Sequence, residues 1–184
     1  MDGKSAELFI PNSIQPELKP DKKYIGFCPG SRHFTKMWLP DYFIELGKLL
    51  TGAGFAIVLF GGKDDREICS KISKQIDNSI DLSDDDNLLQ TAKDMTRCKA
   101  VVCNDSGLMH AAAAVQTPVI ALFGSTVREF GFAPYGVKHL ILENNSLSCR
   151  PCSHIGKEKC PKGHFGCMKS LTPELVFGKL KNIL

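Results

Sequence analysis

Two patterns alternate along the chain. Short, almost wholly apolar runs, YIGFC (24–28), FAIVLF (55–60), AVVCN (100–104) and PVIALFG (118–124), predict strands buried on both faces. Between them, apolar residues recur at helical spacing. PDYFIELGKLLTGA (40–53) carries Phe43, Leu46, Leu49 and Leu50, and Gly52 and Gly54 end it. DDREICSKISKQI (64–76) sets Ile68, Ile72 and Ile76 four residues apart, and NLLQTAKDMTRC (87–98) turns Leu88, Leu89, Ala92 and Met95 inward. GLMHAAAAV (107–115) reads as a small-residue helix. SIDLS (79–83) and KHLILE (138–143) read as two further strands. TPELVFGKLKNIL (172–184) reads as a closing helix, with Thr172 as its cap and Pro173 at its first position. Residues 1–23, rich in Pro, Lys and Asp, read as a tail or linker; residues 24–184 form one domain with an irregular Cys-rich loop over 144–170.

Apolar strands that each feed a helix require a parallel sheet covered on both sides. Right-handed crossovers then give an α/β, Rossmann-like, doubly wound layer structure. Composition agrees with a globular domain: 43% hydrophobic, 23% charged, net charge +3. That charge is far from the bias of a dedicated nucleic-acid binder, so no nucleic-acid partner is expected. No apolar run reaches membrane-spanning length, and the first ten residues lack a signal-peptide core, so a cytoplasmic location is expected.

All strand C-termini of a parallel sheet share one edge, where open α/β sheets bind ligands. Four loops fall there: PGSRHFTKMW (29–38), GGKDDRE (61–67), NDSGLMH (104–110) and GSTVREFG (124–131). The third is the most telling. Asn104-Asp105-Ser106-Gly107 turns the chain from a buried strand straight into a helix whose first amides are unpaired and carry partial positive charge. Gly107 lets a ligand approach the backbone, Ser106 can cap or donate, and His110 lies one turn deeper on the same face. Lys36 and Arg32 add positive charge, Ser31, Ser125 and Thr126 add hydroxyls, and Gly124 opens the fourth loop. Asp105 and Asp64 or Asp65 suit ribose or sugar hydroxyls. The chain has no Walker-A sequence and no G-x-G-x-x-G after its first strand.

Taken together, PGSRHFTKMWLPDYFIELGKLL, VLFGGKDDREI, CNDSGLMHAAAAVQTPVIALFGST and SCRPCSHIGKEKCPKGHFGCMKSLTPELV resemble the C-terminal half of ADP-heptose:lipopolysaccharide heptosyltransferases, glycosyltransferase family 9. The resemblance covers about residues 24–180, and Asp-Ser-Gly-x-x-His-x-x-Ala-Ala is its most specific part. It implies a GT-B fold, two Rossmann-like domains across a cleft, with the C-terminal one gripping the nucleotide-sugar donor ADP-heptose. It assigns Lys36 to the donor near its diphosphate and Ser31 to the upstream hydroxyl. Asp64 or Asp65 falls to the ribose or sugar, and Asp105, Ser106, Gly107, Leu108 and His110 to the diphosphate-binding helix tip. The implied chemistry is displacement of ADP by an acceptor hydroxyl, inverting, without a required cofactor or metal. Lys36, His110 and the helix tip then stabilise the leaving diphosphate.

The family's N-terminal domain, with the lipopolysaccharide core or lipid A acceptor site and a general-base Asp, cannot fit in residues 1–23. The expectation is a polypeptide that binds donor weakly at best and transfers nothing measurable by itself. Two rival readings stay open: a non-catalytic nucleotide-sugar binding module, and a fragment of a GT-B sugar epimerase.

Cys149, Cys152, Cys160 and Cys167 form a C-x-x-C pair followed by two spaced cysteines. Three states are compatible with that spacing: a structural zinc, a disulfide formed on isolation, and free thiols. Cys28, Cys69, Cys98 and Cys103 read instead as small buried hydrophobes. Residues 138–170 carry six Lys/Arg against two Glu, a surface suited to anionic lipid headgroups at the cytoplasmic face of the inner membrane, to an anionic acceptor, or to plain solvation.

Overall fold

The structure, a computed structural model, describes residues 6–83 and 86–184. Six parallel strands form one sheet: β1 (Tyr24–Cys28), β2 (Ala56–Phe60), β3 (Ile80–Leu82), β4 (Cys98–Asn104), β5 (Val119–Phe123) and β6 (His139–Glu143). Their order is β3-β2-β1-β4-β5-β6, the doubly wound order in which the winding direction reverses between β1 and β4. Phe27 pairs with Leu59 on one side and Val102 on the other, so β1 and β4 form the sheet's centre.

Side chains alternate across this sheet, and each face has its own helices. Ile25, Phe27, Ile57, Leu59, Ala100 and Val102 pack beneath α1 (Pro40–Gly52), α2 (Arg66–Ser73) and α6 (Pro173–Leu180). Tyr24, Cys28, Val58, Phe60, Val101 and Cys103 face α3 (Leu88–Met95) and α4 (Gly107–Ala114). Ala111, Ala112 and Ala113 are buried, so a helix of small residues lies close against the strands.

The periodicity locates the helices but misplaces two side chains. Leu49 is exposed while Ile44 is buried in its stead. Leu88, expected inward, is half exposed because α3 begins at the open edge of the sheet, where it lines a cavity. Helix ends follow local chemistry. Gly54 takes φ +85° after α1, a conformation that favours glycine, and the Thr172 hydroxyl accepts from Leu175 N–H before α6. The irregular loop over 144–170 contains one short helix, α5 (Gly166–Lys169), whose Cys167 and Met168 enter the core.

Residues 6–23 do not hang free as a tail. They run as an extended strap across α3 and α4. The buried carboxylate of Asp94 accepts from Glu17 N–H at 2.7 Å and Leu18 N–H at 2.9 Å, and Leu18 is buried with the α3–α4 core. A carboxylate accepting several N–H groups is stable in that setting.

Candidate functional site

The C-terminal edge of β1 and β4 is where the crevice lies. Asn104, the last residue of β4, is fully buried and stitches the first loop in place: its Oδ1 accepts from Trp38 N–H at 2.9 Å, and its Nδ2 donates to Pro29 C=O at 2.7 Å. The first loop is thereby bent back over the sheet edge and ends in a 3-10 turn, Phe34–Lys36. That turn aims Lys36 at the neighbouring strand end, with Nζ 2.8 Å from Asp105 Oδ2. The same carboxylate oxygen accepts from Thr126 Oγ1 at 2.7 Å. Ser31 Oγ reaches Asp105 C=O at 3.5 Å.

Two compartments flank the start of α4. The larger, about 980 Å³, is lined by Asp64, Asp65 and Leu108 with Met37, Ile68 and Leu88. The smaller, about 450 Å³, is lined by Lys36, Asp105 and His110 with His33, Phe132 and His154. Ser31, Arg32, Ser106 and Gly107 border both, so the helix tip forms the sill between them. Ser106 adopts extended backbone just before α4 but its hydroxyl caps nothing. Its Oγ is buried and lacks a partner among the described residues, which costs free energy until a ligand supplies one. A Cβ built on Gly107 would meet nothing within 4 Å, which leaves open approach to the first amides.

The second loop is more constrained than its sequence suggested. Asp65 Oδ2 accepts from Gly62 N–H at 3.1 Å, and its carboxylate packs where a side chain on Gly30 would lie. Burial, with Asp64 beside it, pushes the Asp65 carboxyl above its ordinary value. Asp64 projects outward at the cavity rim. The fourth loop differs from expectation. Gly124, Ser125 and Thr126 line neither compartment. They lie beneath the floor, where Ser125 N–H donates to Thr35 C=O and Gly124 C=O accepts from Arg150. Thr126 reaches the site only through Asp105.

The cysteines at 149, 152, 160 and 167 are all free thiols. Cys149 Sγ turns to His164 Nε2 at 3.8 Å, Cys152 Sγ–H donates to Cys149 C=O, and Cys167 points into the core. Among the described residues no group of three or more His, Cys, Asp or Glu is placed to hold a metal ion, so the zinc expectation finds no support here. Cys28, Cys69, Cys98 and Cys103 are buried as expected, and desolvation raises each thiol, Cys69 to about 12.

His33, Phe132 and His154 were not assigned to the crevice from sequence, and Asn104 was read only as part of the turn into α4. Asn104 alone carried a usable signal, a polar residue closing an apolar strand at the switch point. His154 reaches the site because it stacks on Phe130, with ring centroids 4.1 Å apart, a contact across 24 residues.

Sheet order, crevice position and helix-tip geometry define a doubly wound α/β domain with a ligand crevice at its switch point. The chain belongs to glycosyltransferase family 9, the heptosyltransferases, whose family model matches residues 8–162. It is 36% identical to lipopolysaccharide heptosyltransferase 2 of Escherichia coli K12 over 176 residues, 92% of this chain and 49% of that protein. It is 31% identical to lipooligosaccharide heptosyltransferase 2 of Haemophilus influenzae, covering 92% of this chain and 50% of the relative. Among solved structures it superposes on E. coli ADP-heptose lipopolysaccharide heptosyltransferase II with a TM-score of 0.75 at 29% identity, covering 91% of this chain and 48% of the other. The chain therefore spans about half the length of the relatives it matches. Among the described residues no helix is long and apolar enough to cross a membrane.

Proposed function

We propose that this chain is the C-terminal, donor-binding half of a heptosyltransferase of lipopolysaccharide core assembly, and that its crevice holds ADP-heptose. The observation that carries the reading is the sill between the two compartments. The N-terminus of α4, with its partial positive charge, the Ser106 hydroxyl, partnerless among the described residues, and Lys36 converge where a diphosphate bridges a nucleoside and a sugar. The larger compartment, with apolar Met37, Ile68 and Leu108 beside Asp64, suits the nucleoside. The smaller, with Asp105 and His110, suits the heptose and the leaving phosphate. Support for the choice of sugar and nucleotide comes from the curated relatives, which are named heptosyltransferases, and from the E. coli structure, that of an ADP-heptose lipopolysaccharide heptosyltransferase.

In the reaction so implied, the acceptor hydroxyl oxygen attacks the anomeric carbon. The bond to the diphosphate oxygen breaks with its electron pair, and ADP leaves. The hydroxyl proton passes to a general base, which the family resemblance places on an Asp of the family's N-terminal domain. Lys36, His110 and the helix tip stabilise the charge gathering on ADP. The step inverts the anomeric centre and requires no metal, as the family resemblance implies. The acceptor is lipopolysaccharide core or lipid A, reached at the cytoplasmic face of the inner membrane.

Calorimetric titration of this chain with ADP, UDP and ADP-heptose tests the reading. ADP and ADP-heptose are expected to bind and UDP to bind less tightly, with no measurable heptose transfer by this chain alone. Equal weak binding of all three, unchanged by Lys36→Ala, would overturn it, as would robust transfer.

A further inference from the structure

Below the smaller compartment runs a connected set of buried polar groups that touches no ligand space. Arg150, from the Cys-rich loop, is only 3% exposed in its side chain. Its Nε donates to Gly124 C=O at 2.6 Å and its NH2 to Thr126 C=O at 2.8 Å, so one guanidinium grips the main chain on both sides of Ser125. Glu143, 6% exposed at the end of β6, pairs with the same NH2 at 2.9 Å, and Asn144 C=O accepts from NH1 at 2.9 Å. A guanidinium presents these donors in a fixed planar fork, which no other side chain can copy.

Thr126 stands at the end of that clamp. Its hydroxyl donates to Asp105 Oδ2, the oxygen that also takes Lys36 Nζ. Two donors on one oxygen leave Asp105 Oδ1 without a partner among the described residues, on a side chain that lines the smaller compartment. The carboxylate is thus held at one end and free at the other. Lys36 in turn is tied to a fixed point and not to a mobile one.

We infer that Thr126 and Arg150 are positioning residues for the crevice: Arg150 fixes the 124–126 loop, Thr126 fixes the Asp105 carboxylate, and Asp105 fixes the Lys36 ammonium where an anionic ligand meets it. Neither residue touches the ligand. The ligand side of this inference rests on the donor-binding reading; the chain of contacts does not.

Two readouts on the 184-residue chain separate those dependencies. The first is the rate of reductive methylation of Lys36, read by mass spectrometry against exposed Lys48 in the same molecules. Thr126→Val and Arg150→Lys are each expected to speed Lys36 modification severalfold, and Thr126→Ser to leave it unchanged. The second is ADP affinity by calorimetry. Thr126→Val is expected to weaken binding about fivefold, a loss in the range of one hydrogen bond, with Thr126→Ser like the parent. The Val effect is expected to vanish in an Asp105→Ala background, since two residues acting as one path do not add.

Identical behaviour of the Val and Ser variants in both readouts would overturn the inference, as would a Val effect that persists without Asp105. If Thr126→Val fails to fold, Thr126→Ala takes its place under the same criteria. A parent chain that binds no ADP would refute the donor reading, and the methylation rates alone would then decide the inference.

Discussion

Lys36 Nζ and Asp105 Oδ2 stand 2.8 Å apart across the switch point of the sheet, one on the loop after β1 and the other at the tip of the strand next to it. Lys36 is 15% and Asp105 7% exposed, so the pair is largely withdrawn from water yet borders the cavity. A charge-assisted contact of this kind contributes about 1.5 to 3 kcal/mol. If Lys36 delivers that to a bound diphosphate, Lys36→Met lowers ADP affinity by roughly ten- to a hundredfold, and the loss shrinks in high salt. Calorimetry at two ionic strengths checks both outcomes. An unchanged affinity would remove Lys36 from the site.

Gly107 and Gly30 border the same crevice and are expected to answer oppositely to alanine. A Cβ on Gly107 meets nothing, and the residue is helical, so Gly107→Ala leaves stability unchanged or raises it by about 0.5 kcal/mol. The added methyl nonetheless faces the approach to the helix tip and is expected to weaken ADP binding. A Cβ on Gly30 collides with the Asp65 carboxylate, so Gly30→Ala costs stability, about 1 to 3 kcal/mol, through overpacking. Urea unfolding beside ADP titration of the two variants separates a fold effect from a binding effect.

Asp65 gives a pH test with a defined sign. Burial raises its carboxyl, with Asp64 adding to the rise, while the Gly62 N–H pulls the other way. Between the unfolded value near 3.8 and the raised folded value, the folded chain holds more of that proton than the unfolded chain does. Stability from this group therefore falls as pH rises through that window. Asp65→Asn removes the slope, so the stability difference between variant and parent moves in the variant's favour as pH increases from about 3.8. Urea midpoints measured across that range check it, and a parallel pair of curves would contradict the assignment.

The parallel sheet and its ligand-bearing edge were legible in the sequence because apolar strands that each feed a helix admit few arrangements, while the strand order was not. Runs such as YIGFC and AVVC need cover on both faces, and parallel strands put the loops that follow them on one edge. The helix tip at Asp105-Ser106-Gly107 was legible for the same reason. What was not legible depended on contacts far apart in the chain. GST at 124–126 reads as a ligand loop, yet Arg150 draws it under the floor. Residues 1–23 read as a tail because their composition is polar, but one buried carboxylate, Asp94, holds residues 17 and 18 down. The cysteine spacing left zinc, disulfide and free thiols open, because it does not show that the backbone turns Cys149 to His164 and Cys167 to the core.

Those cysteines divide into two groups by reactivity. Cys149, Cys152 and Cys160 are partly accessible, whereas Cys28, Cys69, Cys98 and Cys103 are buried with raised thiols. Because the thiolate is the reactive form, the buried set should stay silent to a thiol reagent until the chain unfolds. The accessible set should react stepwise in native conditions, at rates unchanged by a chelator. Mass spectrometry of alkylated peptides reads this directly. Joint protection of Cys149, Cys152, Cys160 and Cys167 that a chelator abolishes would restore the zinc reading.

Asn104 is where fold and site meet. Its amide accepts from Trp38 N–H and donates to Pro29 C=O, so one side chain ties both ends of the loop that carries Ser31, Arg32 and Lys36. Asn104→Asp keeps the size and the acceptor but cannot donate when ionised, which sets a carboxylate oxygen against the Pro29 carbonyl in a fully buried place. Leaving a buried polar group unpaired costs about 1 to 3 kcal/mol, more when the group is charged. The expected result is a destabilised chain whose affinity for ADP falls although Asn104 lines neither compartment. Trp38 is the chain's one tryptophan, buried with its Nε1–H on Leu171 C=O at 2.8 Å, so its fluorescence reports the same loop. A red shift in Asn104→Asp under native conditions would show the loop released, and a spectrum and affinity like the parent's would show that the loop holds its course without that amide.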